Sequence, residues 1–477
     1  MTDLLSLLDA EIRPTVGCTE PVAVAYAASL AYHAILGRVP DWLRPKQMAN
    51  EGPPLEADDA EIVEIQVLVD RDVYKNALAV GIPRSGGETG IDLAAAMGVY
   101  CYPEAEGAEE TLFRTLRAGD LEKGRALVDR VKVELVGGWE DRDGIIIQVS
   151  VVARDRHRPQ DVVVGTARIE RTHDNVTYIG VERRGEGVVA GAALESREAL
   201  RNMTVAQIVT QVDELSEPIE EKMIDMLETN LSISREGLED ASGLGVGAAL
   251  RRWVDEGSLG DDPVTLAQML AASAADARMA GMDCAVISSA GSGNQGIVAT
   301  LPLVAVATKL GCDVPGLCAQ RRAGTLSADE SDSLRRLLQA LALSNVITSY
   351  VTYHTSRLSA MCGCAIKAGI GAAAGIAYLL DADIETVEGA IQNMAASITG
   401  MICDGAKEGC ALKLTSAASA AVLAARLAAA GIRVKPGNGI VSDTVEETIV
   451  NLDRVCQAMI TTDVELANIL RDRTAAR

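Results

Sequence analysis

The chain has 477 residues and a formal charge of −23, from 44 basic against 67 acidic side chains. That charge disfavours nucleic acid and anionic membrane surfaces as partners. Hydrophobic residues make up 48% and charged residues 23%, a globular balance in a chain longer than one ordinary core. With one Phe, three Trp and nine Tyr, the core must be built from Ala, Val, Leu, Ile and Met, which favours tight Ala/Gly helix packing.

Residues 4–13 read as a short amphipathic helix that stops near Pro14. "GCTEPVAVAYAASLAYHAILG" (17–37) reads as a helix, with Thr19 as N-cap, Pro21 in the first turn and Cys18 at its edge. The start lacks the basic region and apolar run of a signal peptide. No uncharged apolar stretch reaches the roughly 18–20 residues of a membrane helix, because Lys367, Lys413 and Arg426 interrupt the best ones. A cytoplasmic protein is expected, with no membrane partner.

After "NEGPPLEADDAE" the pattern changes. "EIVEIQVLVD" (61–70) alternates like a strand, and "ALAVGIP" (77–83) reads as a second short strand or its lead-in. A glycine-rich turn, "RSGGETG", and a helix, "IDLAAAMGVY", follow. Strands are expected at 130–137, 144–155 and 161–172, with "THDN" turning into "VTYIGVERR". From about 196 the chain reads as helix: 204–229, 263–280, 296–310, 327–345, 362–380, 385–399, 410–430 and 443–471. Their wide apolar faces imply mutual burial. Gly371 and Gly375, four apart, indicate close helix packing. The fold class expected is α+β, mainly helical, with an antiparallel sheet. The expected domains are 1–54, N-terminal helices packing on the catalytic part; 55–195, an α+β domain; and 196–477, an all-helical catalytic domain. A homodimer is expected from the extent of apolar helical surface.

Glycine-rich turns interrupt the helical half at "SSAGSGNQGI" (288–297), "CGC" (362–364) and "CDGAKEGC" (403–410), each before an apolar helix. Helix starts offer free N–H groups and a positive dipole end, and several together would suit a carboxylate or an anionic cluster. Ten cysteines in a reducing compartment are expected to be thiols, which weakens a disulfide reading. Cys362 and Cys364 form C-x-C, and Cys403 and Cys410 form C-x₆-C. These fit paired zinc knuckles poorly. An iron–sulfur cluster accepts looser spacings, and buried inert thiols are the plain alternative. The plain reading is preferred for Cys101, Cys284 and Cys456, and also for the rival pair Cys312 and Cys318. The loop 288–297 lacks the GK[ST] of a Walker phosphate loop.

"GCTEPVA", "YKNALAVGIP", "SSAGSGNQGI", "RLSAMCGCAIKAGIGAAAGI" and "MICDGAKEGCALK" occur in this order over nearly the whole chain. Together they resemble the iron–sulfur-dependent L-cysteine desulfidase family, related to the L-serine dehydratase α-domain. The turn after "VGIP" departs from the more compact pattern expected of that family. The resemblance implies a [4Fe–4S] cluster held by Cys364, Cys403 and Cys410, with Cys362 as the alternative to Cys364. It implies β-elimination of L-cysteine to pyruvate, ammonia and sulfide, with an open iron as Lewis acid. Elimination from L-serine and a non-enzymatic metal- or redox-binding role are the rivals. Cys18 is the candidate base, or a fourth ligand. Ser288, Ser289, Ser292, Asn294, Gln295, Lys367 and Asp404 are candidate substrate-binding residues. Arg357 and Lys413 are further cationic candidates, and Glu20 could orient a cysteine or hold an ammonium.

Overall fold

The computed structural model describes residues 7–8, 11–43, 47–50, 55–105, 108–136, 145–158, 160, 162–182, 200–355 and 359–475. It is an α+β fold, mainly helical. Strands β1 (Pro14–Val16), β2 (Gln47–Asn50), β3 (Ala60–Val69), β4 (Val131–Leu135), β5 (Ile145–Asp155), β6 (Val162–Arg171), β7 (Val176–Glu182) and β8 (Ala285–Ile287) form two sheets. The larger sheet has the order β2-β7-β6-β5-β3-β4. Its inner pairs β3–β5, β5–β6 and β6–β7 are antiparallel, as the turn-linked alternating strands imply. Both edge pairs, β2–β7 and β3–β4, are parallel.

Helix α1 (Thr19–Ile35) lies on this sheet, against β5 and β6 and against α3 (Ile91–Gly98). Its apolar residues Val22–Ile35 therefore belong to the sheet's core. Expecting this segment to pack on the helical part is corrected: nearly the whole helix is buried, and the sheet supplies the matching apolar face. Leu7, Leu8, Ile12 and Cys18, by contrast, join the helical core. Cys18 stands at the seam between the two.

"ALAVGIP" is not a strand. Helix α2 (Arg71–Ala77) ends there, started by Asp70, whose Oδ1 accepts from the N–H groups of Asp72 at 2.8 Å and Val73 at 3.0 Å. Such capping outweighs a short apolar alternation. Helix α4 (Asp120–Leu127) completes this half.

The helical half contains α5 (Val205–Gln211), α6 (Glu217–Asp240), α7 (Val246–Asp255), α8 (Pro263–Met279), α9 (Gly293–Lys309), α10 (Val314–Ala323), α11 (Ala328–Thr355), α12 (Gly363–Leu379), α13 (Ile384–Ile398), α14 (Cys410–Ala429), α15 (Val445–Ala458) and α16 (Ile460–Ala475). The expected 204–229 and 443–471 helices each break in two, and α7 and α10 are additional. Helix α12 sits at the centre, touching α9, α11, α13 and α14. Its two glycines press on α11: a Cβ at Gly371 would stand 2.3 Å from the Ser344 carbonyl, and one at Gly375 2.6 Å from that of Ala340. Among single described helices, α14 has the length and apolar composition of a membrane span, and it packs against α8, α12 and α13. Helices α9 and α10 reach that length only together, and they meet at 98°.

Candidate functional site

Two short extended segments bring the C-x-C and C-x₆-C motifs together. The Cys362 N–H donates to the Met401 carbonyl at 2.8 Å, and the Cys403 N–H donates to the Ala360 carbonyl at 2.7 Å. Met361 and Ile402 are thereby antiparallel partners. Cys362 caps α12, Cys364 lies in its first turn, and Cys410 opens α14. The four thiols line one cleft, which has about 70 Å³ of free volume.

All ten cysteines are unpaired thiols. The Cys364 thiol donates to Cys362 and draws Cys362 down to about 6, while Cys364 itself is raised well above the usual thiol range. Burial raises Cys403 and pushes Cys410 up to about 11. Among the described residues, no three or more His, Cys, Asp or Glu side chains stand together as the ligands of a single metal ion. The donors around the cleft are thiols from separate elements, the ligand type of a polynuclear iron–sulfur cluster, which takes thiolates at loose spacing. Cys101, Cys284 and Cys456 do not line the cleft; their thiols donate to the Met97 carbonyl, to Glu236 and to the Thr355 carbonyl. Cys312 and Cys318 are also outside it.

Cys18 faces the same cleft from the sheet side. It, rather than Thr19, is the N-cap of α1, in extended backbone (φ −81°, ψ 138°). Its Sγ donates to Glu20 Oε2 at 3.0 Å, and Asn76 Nδ2 donates to Glu20 Oε1 at 3.1 Å. The Cys403 thiol lies 3.9 Å from Asn76 Oδ1. Burial, reinforced by Glu20, raises the Cys18 thiol well above its ordinary range, and nearby Arg278 opposes that shift.

The 288–297 loop supplies the third wall. Ser289 and Ser292 exchange backbone hydrogen bonds at 3.1 Å across Ala290 and Gly291, both at positive φ (49° and 78°), and α9 begins immediately after. Positive φ at both central residues makes a tight turn and reverses the chain within four residues. Asn230, wholly buried on α6, fixes this corner: it accepts from the Ile287 N–H at 2.8 Å and donates to the Ile287 carbonyl, the Gly296 carbonyl and Thr300.

Of the expected substrate-binding residues, Ser292, Asn294 and Gln295 line the cleft. Ser288, Ser289, Lys367 and Asp404 do not. Ser288 Oγ is tied to the Arg13 backbone where β1 pairs with β8. Lys367 is buried at the base of α12, and burial lowers its pKa. Asp404 is clamped by Lys407 and Lys413, whose hydrogen bonds outweigh burial and hold its carboxyl at about 2. Arg357 lies outside the described residues.

Asn76, His173 and Arg278 also line the cleft and carry no role in the sequence reading. Arg278 is in the last turn of α8, where a cation ordinarily complements the helix dipole. Asn76 lies within "YKNALAVGIP", just before the 77–83 stretch whose alternation suggests strand. His173 belongs to the "THDN" turn.

The family model for the serine dehydratase alpha chain matches residues 166–466. A UPF0597 protein of Clostridioides difficile (strain 630) is 35% identical over 98% of this chain and 99% of its own length. UPF0597 proteins of Desulfotalea psychrophila, at 35%, and Caldanaerobacter subterraneus, at 34%, match over 98% and 95% of this chain and 97% and 94% of their own. The relation to the dehydratase α-domain implied by the motifs is thus borne out, and the chain belongs to the serine dehydratase alpha chain family.

Proposed function

We propose that this protein is an amino-acid β-eliminating lyase that uses a [4Fe–4S] cluster, with L-cysteine as first substrate. One observation carries the reading: in a member of this family, Cys362, Cys364, Cys403 and Cys410 line a single cleft together with Cys18. Cys364, Cys403 and Cys410 would hold the cluster, with Cys362 as the alternative to Cys364. Bound there, the cluster would supply Lewis acidity at an iron the protein leaves open.

The chain's own groups do the proton work. Glu20 accepts the Cys18 thiol hydrogen bond and is the group placed to receive its proton; burial and the Glu20 charge oppose ionisation of the thiol, and the Arg278 charge favours it. The thiolate then accepts the substrate α-proton as general base. Loss of the β-thiol as sulfide leaves an aminoacrylate, whose hydrolysis gives pyruvate and ammonia.

L-serine is the second reading, favoured by the family's description as serine dehydratase; the order of substrates rests on the motif resemblance. Anaerobic reconstitution followed by parallel L-cysteine and L-serine assays for pyruvate tests both. A brown, cluster-loaded protein that turns over neither would sink the lyase reading. A colourless zinc protein without turnover would favour a binding or sensing role.

A further inference from the structure

Arg278 is 2% exposed and lines the cleft. Its Nη1 donates to Asn294 Oδ1 at 3.0 Å, and its Nε has no hydrogen-bond partner. No carboxylate pairs with it among the described residues. Lys413, the other lysine or arginine lining the cleft, is paired with Asp404. A buried guanidinium without a counter-ion is costly, so its anion is expected from a ligand.

The surroundings are shaped for this group. Gly293 opens α9 directly beneath the guanidinium: a Cβ there would lie 2.5 Å from Nε and 2.7 Å from Cζ. Asn294 has both ends of its amide engaged, Oδ1 with Arg278 and Nδ2 with Met279 Sδ at 3.5 Å. It therefore holds the arginine in place and is a positioning residue. The start of the 17-residue α9 adds a positive dipole end on the same side. A planar fork beside a helix start suits a carboxylate.

We propose that Arg278 is the anchor for the substrate α-carboxylate, held by Asn294 and accommodated by the absent side chain of Gly293. This deepens the lyase reading and rests on it for the identity of the ligand as an α-amino acid. The anchor sets the carboxylate against α9 and leaves the α-hydrogen to face Cys18, a neighbour close enough for Arg278 to affect its charge.

The test uses two partial ligands that share a thiol: 3-mercaptopropionate keeps the carboxylate, and cysteamine lacks it. Dissociation constants are measured by calorimetry on the cluster-loaded protein. Arg278→Met should weaken 3-mercaptopropionate about 10- to 100-fold and leave cysteamine within about twofold. Arg278→Lys should recover part of the loss, since the charge returns without the fork. Gly293→Ala keeps every charged group but displaces the guanidinium, and should give the same selective loss. Equal weakening of both ligands, no weakening of either, or no binding of 3-mercaptopropionate to the unaltered protein would overturn the anchor. A selective loss in a protein that makes pyruvate from neither amino acid would instead retain the anchor and remove the lyase reading.

Discussion

Cys18 and Glu20, two residues apart at the start of α1, are joined by a thiol-to-carboxylate hydrogen bond of 3.0 Å inside a buried cleft. Asn76 extends the contact to Cys403, so the candidate base and a candidate cluster ligand share one polar chain. If Glu20 takes the thiol proton, Glu20→Gln should lower turnover by about 10²- to 10⁴-fold, the usual contribution of general acid–base chemistry. Visible absorbance of the cluster should stay unchanged in that variant and in Cys18→Ser. Loss of the cluster from Cys18→Ser would make Cys18 a ligand.

Cys403→Ser and Cys410→Ser should each abolish the cluster, read as iron and acid-labile sulfide per chain after anaerobic reconstitution. The pair Cys362→Ser and Cys364→Ser separates the two candidates of the C-x-C. Cys364→Ser should lose the cluster and Cys362→Ser keep it. The reverse pattern would assign Cys362, whose thiol is the one drawn toward its ionised form by its neighbour.

Gly405, in the loop between Cys403 and Cys410, has φ 92°, and a Cβ there would meet the Lys75 carbonyl at 2.3 Å. The obstacle is backbone, so it cannot swing aside. Gly405→Ala should cost about 2–4 kcal/mol, combining left-handed strain with overpacking. Gly400, at φ 108° with nothing within 4 Å of its would-be Cβ, separates the two effects: Gly400→Ala should cost only about 1–2 kcal/mol. Urea unfolding midpoints measure both. Equal costs would remove the clash with α2 as the reason.

His33 on α1 hydrogen-bonds the Cys101 carbonyl through Nε2 at 2.9 Å and packs edge-on against Tyr102. Burial holds its pKa below the ordinary 6.5. The unfolded chain therefore takes up this proton more readily than the folded one. The corresponding stability is complete above about pH 6.5 and is lost as pH falls through that value. Relative to His33→Gln, which does not titrate, the unaltered protein should lose stability between about pH 7.5 and 5, measured by denaturation at each pH. A difference that stays constant with pH would contradict the assignment.

The cysteine constellation is legible in the sequence because Cys18, Cys362, Cys364 and Cys410 each sit beside glycine at a helix start and Cys403 lies in the turn leading to α14, and such junctions leave a residue signature. Ser292, Asn294 and Gln295 are legible for the same reason. Arg278 is not: its spacing is that of any cation ending a helix, and only the approach of α9 shows it to be buried. Asp404 misleads in the opposite way. Its place between two cysteines suggests a ligand contact, yet Lys407 and Lys413 consume its charge. In the fold, the antiparallel strands follow from alternation and turn residues. The parallel edges β2 and β4 depend on pairing between distant segments, which local pattern does not encode. The break between α5 and α6 is similarly hidden in a continuous apolar periodicity. It is marked by Ser216 at the N-cap and Pro218 in the first turn of α6.

The two backbone hydrogen bonds that join residues 360–362 to 401–403 have a consequence for how the site is assembled. The thiol-bearing segments are registered against each other by main-chain pairing, independently of any side chain that would meet a metal. Incoming iron and sulfide would thus encounter a rack already cut to shape, and their arrival need not order two distant loops. The binding free energy would then go into the metal–thiolate bonds, with little drained by chain entropy.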